Sequence, residues 1–133
     1  VRVMRQSGQA PGSVFIRVPD AQASARLAPA PDRRIAERGR HGLLPKQGPD
    51  GMRAADIYAR PVTPQQRGAP VRIAIVVGGL GINNVITQEA VQRLNGSISL
   101  AFAPYGADLE RQVARAREDG HEVLLQAPME PFD

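Results

Sequence analysis

The chain has no cysteine and no tryptophan, and only five of its 133 residues are aromatic. Without cysteine there is no disulfide framework, no thiolate metal site and no thiol nucleophile. Its two histidines, His41 and His121, lie far apart and form no ligand cluster by themselves. Long hydrophobic runs are also missing: the longest, Ile73 to Val77, falls well short of the ~18–20 residues of a membrane-spanning helix, so no transmembrane segment is expected. At ~100–200 residues per domain the length allows at most one domain. A chain that opens on Val1 is expected to be a non-native start, with room for a signal or anchor upstream.

What is present divides unevenly. Residues 1–70 carry 12 of the 17 Lys+Arg, 5 of the 13 Asp+Glu and 9 of the 12 prolines, a net charge of +7. Residues 71–133 carry the remainder and are net −3. The basic character therefore belongs to the leading part. Its arginines are scattered among Ala, Pro, Gly and Gln, with no Lys/Arg block and no interleaved aromatics, so no nucleic-acid partner is expected. Residues 1–70 read as a flexible, mostly extended Pro/Arg-rich linker, because too few apolar residues recur at a fixed spacing to offset ordering entropy of ~1–2 kcal/mol per residue. Within it, Ser13–Val18 suits a short strand and Asp32–Arg38 a short helix entered through Pro31, while Leu43, Leu44, Ile57 and Tyr58 are expected to dock on the domain formed by residues 71–133.

From Val71 the pattern sharpens. Arg72–Val77 is a nearly continuous β-branched run, as in a strand buried on both faces, and Gly78, Gly79 and Gly81 break it. Asn83 or Asn84 can cap a helix with Ile86, Ala90 and Leu94 on its apolar face. Ser97–Ala103 is a second strand. Asp108–Asp119 is a second helix with Leu109, Val113 and Ala116 on one stripe and Gly120 as its stop. Glu122–Gln126 is a third strand, beyond which Pro128 and Pro131 prevent continuation. Strand–helix–strand–helix–strand implies right-handed crossovers and a parallel sheet, the α/β class. Functional loops in such sheets follow the carboxyl ends of the strands. That rule singles out Gly78–Gly81, Pro104–Tyr105 and the segment from Gln126 to Asp133. Three βα units are too few for a closed parallel barrel, so residues 71–133 read as the front portion of a larger domain.

Gly79-Leu80-Gly81-Ile82-Asn83-Asn84 sits where a dinucleotide fingerprint would. The third glycine position is Asn84, no acidic residue ends the second strand, and no lysine follows as in a phosphate-binding loop. A glycine-permitted turn is the favoured reading and a nucleotide-binding α/β domain the alternative. His121 precedes the third strand and reads as a surface residue after a helix stop. Asn95-Gly96-Ser97 matches a glycosylation sequon but reads as a tight turn. Glu130 and Asp133 are the only carboxylates at the functional end of the sheet.

Three stretches in order, Arg72–Gly81 (RIAIVVGGLG), Leu100–Tyr105 (LAFAPY) and Gly120–Pro131 (GHEVLLQAPMEP), make the chain resemble the divergent polysaccharide deacetylase family. The lead-in Gly42–Lys46 (GLLPK) and Asp56–Pro61 (DIYARP) resembles the segment before that domain in alphaproteobacterial members, so the resemblance covers about residues 40–133. It implies a partial (β/α) barrel of the deacetylase type, a glycan or cell-wall polysaccharide as partner, and a periplasmic or cell-envelope setting. In relatives that work as enzymes the first strand ends in two aspartates, one a general base and one helping to hold a divalent metal, with histidines after the third strand completing the site. Here the aspartate positions read Gly78 and Gly79, and a position where many divergent members carry histidine reads Gln126. The expectation is a deacetylase-like fold without the metal cofactor, one that binds glycan without hydrolysing it or works through relocated residues. The candidate substrate contacts are Gly78, Gly79, Tyr105, Gln126 and Glu130.

Overall fold

A computed structural model of the chain describes residues 26–129. Among the described residues five strands form two sheets, an antiparallel hairpin and a parallel three-stranded sheet. The parallel sheet is built from β3 (Val76–Leu80), β4 (Ser99–Phe102) and β5 (Val123–Leu125) in the order β3-β4-β5. The crossovers carry α3 (Asn84–Arg93) and α4 (Leu109–Glu118). This is the strand–helix alternation that the sequence predicts.

Both crossover helices lie on one face of the sheet. Val91 from α3 and Ala116 from α4 share a single core with Leu80, Leu100 and Phe102, with Val77, Leu109, Val113 and Val123 packed around it. β4 is central, and Leu100, Ala101 and Phe102 are all buried. On the opposite face Val76 and Leu124 are about half exposed, at 51 % and 47 %.

α4 follows the expected stripe. Leu109, Val113 and Ala116 face the core, and Gly120 ends the helix in the left-handed region at φ 90°, where a side chain would be strained. α3 is capped as expected, the Asn83 carboxamide oxygen accepting the Val85 and Ile86 N–H groups. Its apolar face follows the expectation at Ala90 and Leu94, which pack against the core, but not at Ile86. Thr87 and Val91 are buried, whereas Ile86 is 58 % exposed. The helix is rotated so that the Thr87 hydroxyl accepts the Gly81 N–H at 2.9 Å while donating to the Asn83 carbonyl at 2.7 Å.

The first parallel strand is displaced from Arg72–Val77 to Val76–Leu80 and contains the two glycines expected to end it. The ladder is limited by its partner: β4 begins at Ser99, which pairs with Val76, and only the Ile75 carbonyl reaches further back, to the Ser99 N–H. Val77 pairs with Leu100 and Leu80 with Phe102, so three steps on β3 face two on β4. Gly78-Gly79 is therefore a β-bulge, with Gly79 at φ 76°.

The described part of the leader, residues 26–70, holds more regular structure than a mostly extended segment. Arg33–Ile35 is a single 3-10 turn capped by Asp32, and the chain then enters β1 (Ala36–Gly39) rather than the helix expected over Asp32–Arg38. Ile35 is buried, its carbonyl accepts the Lys46 N–H, and β1 pairs with β2 (Gly42–Pro45), which together outweigh helix propensity. α1 (Ala54–Ile57) and α2 (Pro64–Arg67) are single turns, the second closed by a Thr63/Gln66 capping box. Leu43 and Leu44 remain 61 % and 48 % exposed. The strand expected over Ser13–Val18 lies outside the described residues.

The leader is fastened to the parallel unit at two places. At α4, buried Arg117 donates from Nε to the Ala28 carbonyl at 2.5 Å and from Nη1 to the Tyr58 carbonyl at 3.4 Å. Its own carbonyl accepts the Leu27 N–H. Beneath β5, Glu122 accepts the Arg60 N–H at 2.6 Å through one oxygen and the Ser99 hydroxyl at 3.2 Å through the other. Tyr58 thus docks as expected, and β5 is tied to the leader at its amino end.

Candidate functional site at the carboxyl rim of the parallel sheet

Three of the five sequence-derived candidates meet. The Gly78-Gly79 bulge lies within β3, just before its last residue Leu80, and Gln126 follows β5 across the sheet, where its N–H bonds to the Phe102 carbonyl at 2.9 Å. The Gln126 side-chain oxygen Oε1 accepts the Gly79 N–H at 2.6 Å. A Cβ built on Gly78 would stand 3.1 Å from Gln126 Nε2, closer than most real contacts of that kind. The amide therefore lies against the bare backbone of Gly78, and all three residues are exposed.

Tyr105 lies in the loop after β4, 74 % exposed, and takes no part in the Gly79–Gln126 contact. That loop presses on the rim through Gly106, where an added Cβ would collide with the Gly81 carbonyl. Gly81 is itself enclosed, an added Cβ there falling 2.6 Å from a Leu109 methyl. Glu130 and Asp133 lie outside the described residues.

The glycine N–H groups are already engaged: Gly79 donates to Gln126 and Gly81 to Thr87. Thr87 is the rim residue that sequence reasoning passed over. Its signal was a hydroxyl one turn into a capped helix, where it can bond back to the i−4 carbonyl.

His121 is corrected from a surface residue to a fully buried one. Its Nδ1 lies 2.8 Å from the Ile98 carbonyl oxygen and its Nε2 3.1 Å from that of Val91. The ring joins α3 to the start of β4, at the amino end of β5 and away from the rim. Among the described residues no three His, Asp or Glu side chains are grouped to hold a metal ion. No helix of the described residues is long and apolar enough to cross a membrane. An open apolar groove of about 260 Å³ lies between the leader and α4 and reaches the carboxyl ends of β4 and β5, lined by Tyr58, Phe102, Ala103, Leu109, Val113 and Leu125.

The sequence model of the divergent polysaccharide deacetylase family matches residues 75–133, the segment that holds the parallel sheet and the rim. Residues 75–133 are thus similar to the divergent polysaccharide deacetylase family. The crystal structure of an uncharacterized protein from Agrobacterium tumefaciens C58 is similar, with 46 % sequence identity and a TM-score of 0.58. The match covers 65 % of this chain and 34 % of that one, so the chain spans about a third of that protein's length. No curated protein matches the chain.

In this family setting the chemistry of the donor set can be tested against a divalent metal. Gly78 and Gly79 offer no side-chain ligand. Gln126 offers one neutral oxygen, already bonded to the Gly79 N–H, and an NH2 group that only donates. Hard divalent cations take several oxygen ligands, carboxylates foremost, and zinc takes imidazole, thiolate or carboxylate. The residues at these positions do not fit the group.

Proposed function

We propose that the chain is the front part of a deacetylase-like (β/α) barrel that binds cell-envelope glycan and does not carry out metal-dependent deacetylation through residues 78, 79 and 126. The observation that carries this reading is the Gly79–Gln126 hydrogen bond. Where enzymatic relatives place carboxylate and imidazole ligands, this chain has a closed contact between a backbone N–H and a carboxamide. Neither a general base nor a metal ligand set is available there to generate hydroxide.

The barrel reading is supported by the parallel order β3-β4-β5 and by the placement of both helices on one face, the arrangement that a closed barrel repeats. Periplasm or cell envelope as the setting, and polysaccharide as the partner, rest on the family alone. A nucleotide at the Gly79-Leu80-Gly81 turn has little support, because phosphate binding needs the N–H groups that Gln126 and Thr87 occupy.

The test uses the full-length protein. It is expected to release no acetate from N-acetylated oligosaccharides and to hold less than stoichiometric zinc by elemental analysis, while binding such oligosaccharides in calorimetry. One tightly held metal ion per chain, together with acetate release, would refute the reading.

A further inference from the structure

We infer that Gln126 is a specificity-determining residue: its Nε2, held beside the bare backbone of Gly78, donates a hydrogen bond to an oxygen acceptor of the bound glycan. The inference deepens the glycan-binding reading above and rests on it. It begins with the orientation of one amide. Oε1 faces the Gly79 N–H at 2.6 Å, a contact that needs an acceptor on the side chain, so the oxygen and nitrogen of Gln126 are not interchangeable. The NH2 group is thereby turned toward Gly78, with Nε2 3.1 Å from where a Cβ would stand. Any side chain at residue 78 would crowd that nitrogen, whereas glycine leaves room for it, and Gln126 is an exposed residue at the rim.

An NH2 group so held offers donors only. The partner it fits is a carbonyl or hydroxyl oxygen, and it disfavours a cation. Among glycan substituents, the acetamido carbonyl is the strong neutral acceptor, and the free ammonium of a de-N-acetylated sugar is the group this donor repels. A site built to hydrogen-bond one group discriminates against the analogue lacking it more sharply than an apolar pocket does. The β4–β5 ladder supplies rigidity, since the Gln126 N–H is itself held by the Phe102 carbonyl.

The experiment compares triacetylchitotriose with its fully de-N-acetylated counterpart on the full-length protein by calorimetry. The wild type is expected to favour the acetylated sugar by about tenfold or more. Gln126→Glu keeps an oxygen for the Gly79 N–H and removes the donor, so it is expected to lose or reverse that preference. The Gly79 amide proton resonance should stay downfield in this variant, showing the bulge intact. If Gln126→Glu keeps the wild-type preference, Gln126 only braces the bulge and the inference falls while glycan binding stands. If the wild type binds neither sugar, the glycan reading fails and takes the inference with it.

Discussion

The guanidinium of Arg117 lies over the ring of Tyr58, 5.1 Å from its centroid, and joins the leader to the last turn of α4. Within the leader, the Tyr58 hydroxyl accepts the Asp32 N–H at 2.7 Å. Burial lowers the Arg117 pKa, with the Tyr58 hydroxyl and the Glu122 carboxylate opposing that shift. The leader is thus held by a desolvated cation whose hydrogen bonds run to backbone carbonyls.

Removing that cation should loosen the leader before it unfolds the sheet. Arg117→Ala strands the Ala28 and Tyr58 carbonyls and the face of the Tyr58 ring. The expected cost is about 2–3 kcal/mol, with faster amide exchange over residues 27–58 than over β4. Arg117→Lys should recover only part of the loss, because one ammonium cannot reproduce the planar fork. Urea denaturation with hydrogen-exchange mass spectrometry checks both; equal exchange in the variant and the wild type across the leader would show that Arg117 does not anchor it.

His121 should be as costly to replace as a core residue. His121→Phe keeps a ring of similar size and removes the ring nitrogens that face the Ile98 and Val91 carbonyls, one of which a neutral imidazole can serve as donor. The expected loss is about 2–4 kcal/mol, read as a lower urea midpoint with an unchanged slope. A midpoint within experimental error of wild type would mean that the two carbonyls find water.

Asp32 provides the pH prediction. Arg34 donates to its carboxylate from Nε to Oδ1 at 3.1 Å and from Nη2 to Oδ2 at 2.7 Å, and the Arg34 backbone N–H donates to Oδ1 as well. The Arg34 side-chain hydrogen bonds foremost, then its backbone N–H, lower the pKa from 3.8 to about 2. A lowered carboxylate pKa stabilises the fold above its unfolded value and loses that contribution as pH falls through the folded one. The Asp32 turn should therefore persist at pH 4 and melt toward pH 2. Carboxyl-carbon NMR titration checks the midpoint, and Arg34→Ala should raise it while leaving the backbone contribution in place.

Much of the parallel unit was legible in the chain because its signals are local. Leu109, Val113 and Ala116 repeat at helical spacing, Gly120 stops the helix, and Asn83 caps α3. What escaped depends on partners distant in sequence. β3 starts where β4 allows, which no property of Arg72–Val77 reveals. His121 is buried through contacts with Ile98 and Val91, which are distant in sequence, and Ile86 is exposed because Thr87 turns α3 toward Gly81. At the rim, family resemblance selected Gly78, Gly79 and Gln126 as positions, but their meeting needed the strand order of the sheet. Arg117 carried no local cue, being one of several arginines in a charged helix.

The surplus residue in β3 has a further meaning. Val77 and Leu80 both point inward, opposite Leu100 and Phe102. Cutting out either Gly78 or Gly79 would restore simple alternation and still send both side chains to the interior. The hydrophobic architecture is thus indifferent to that residue, which shapes only the mouth of the sheet. Drift at this position could remodel what the mouth accepts without disturbing the fold beneath it.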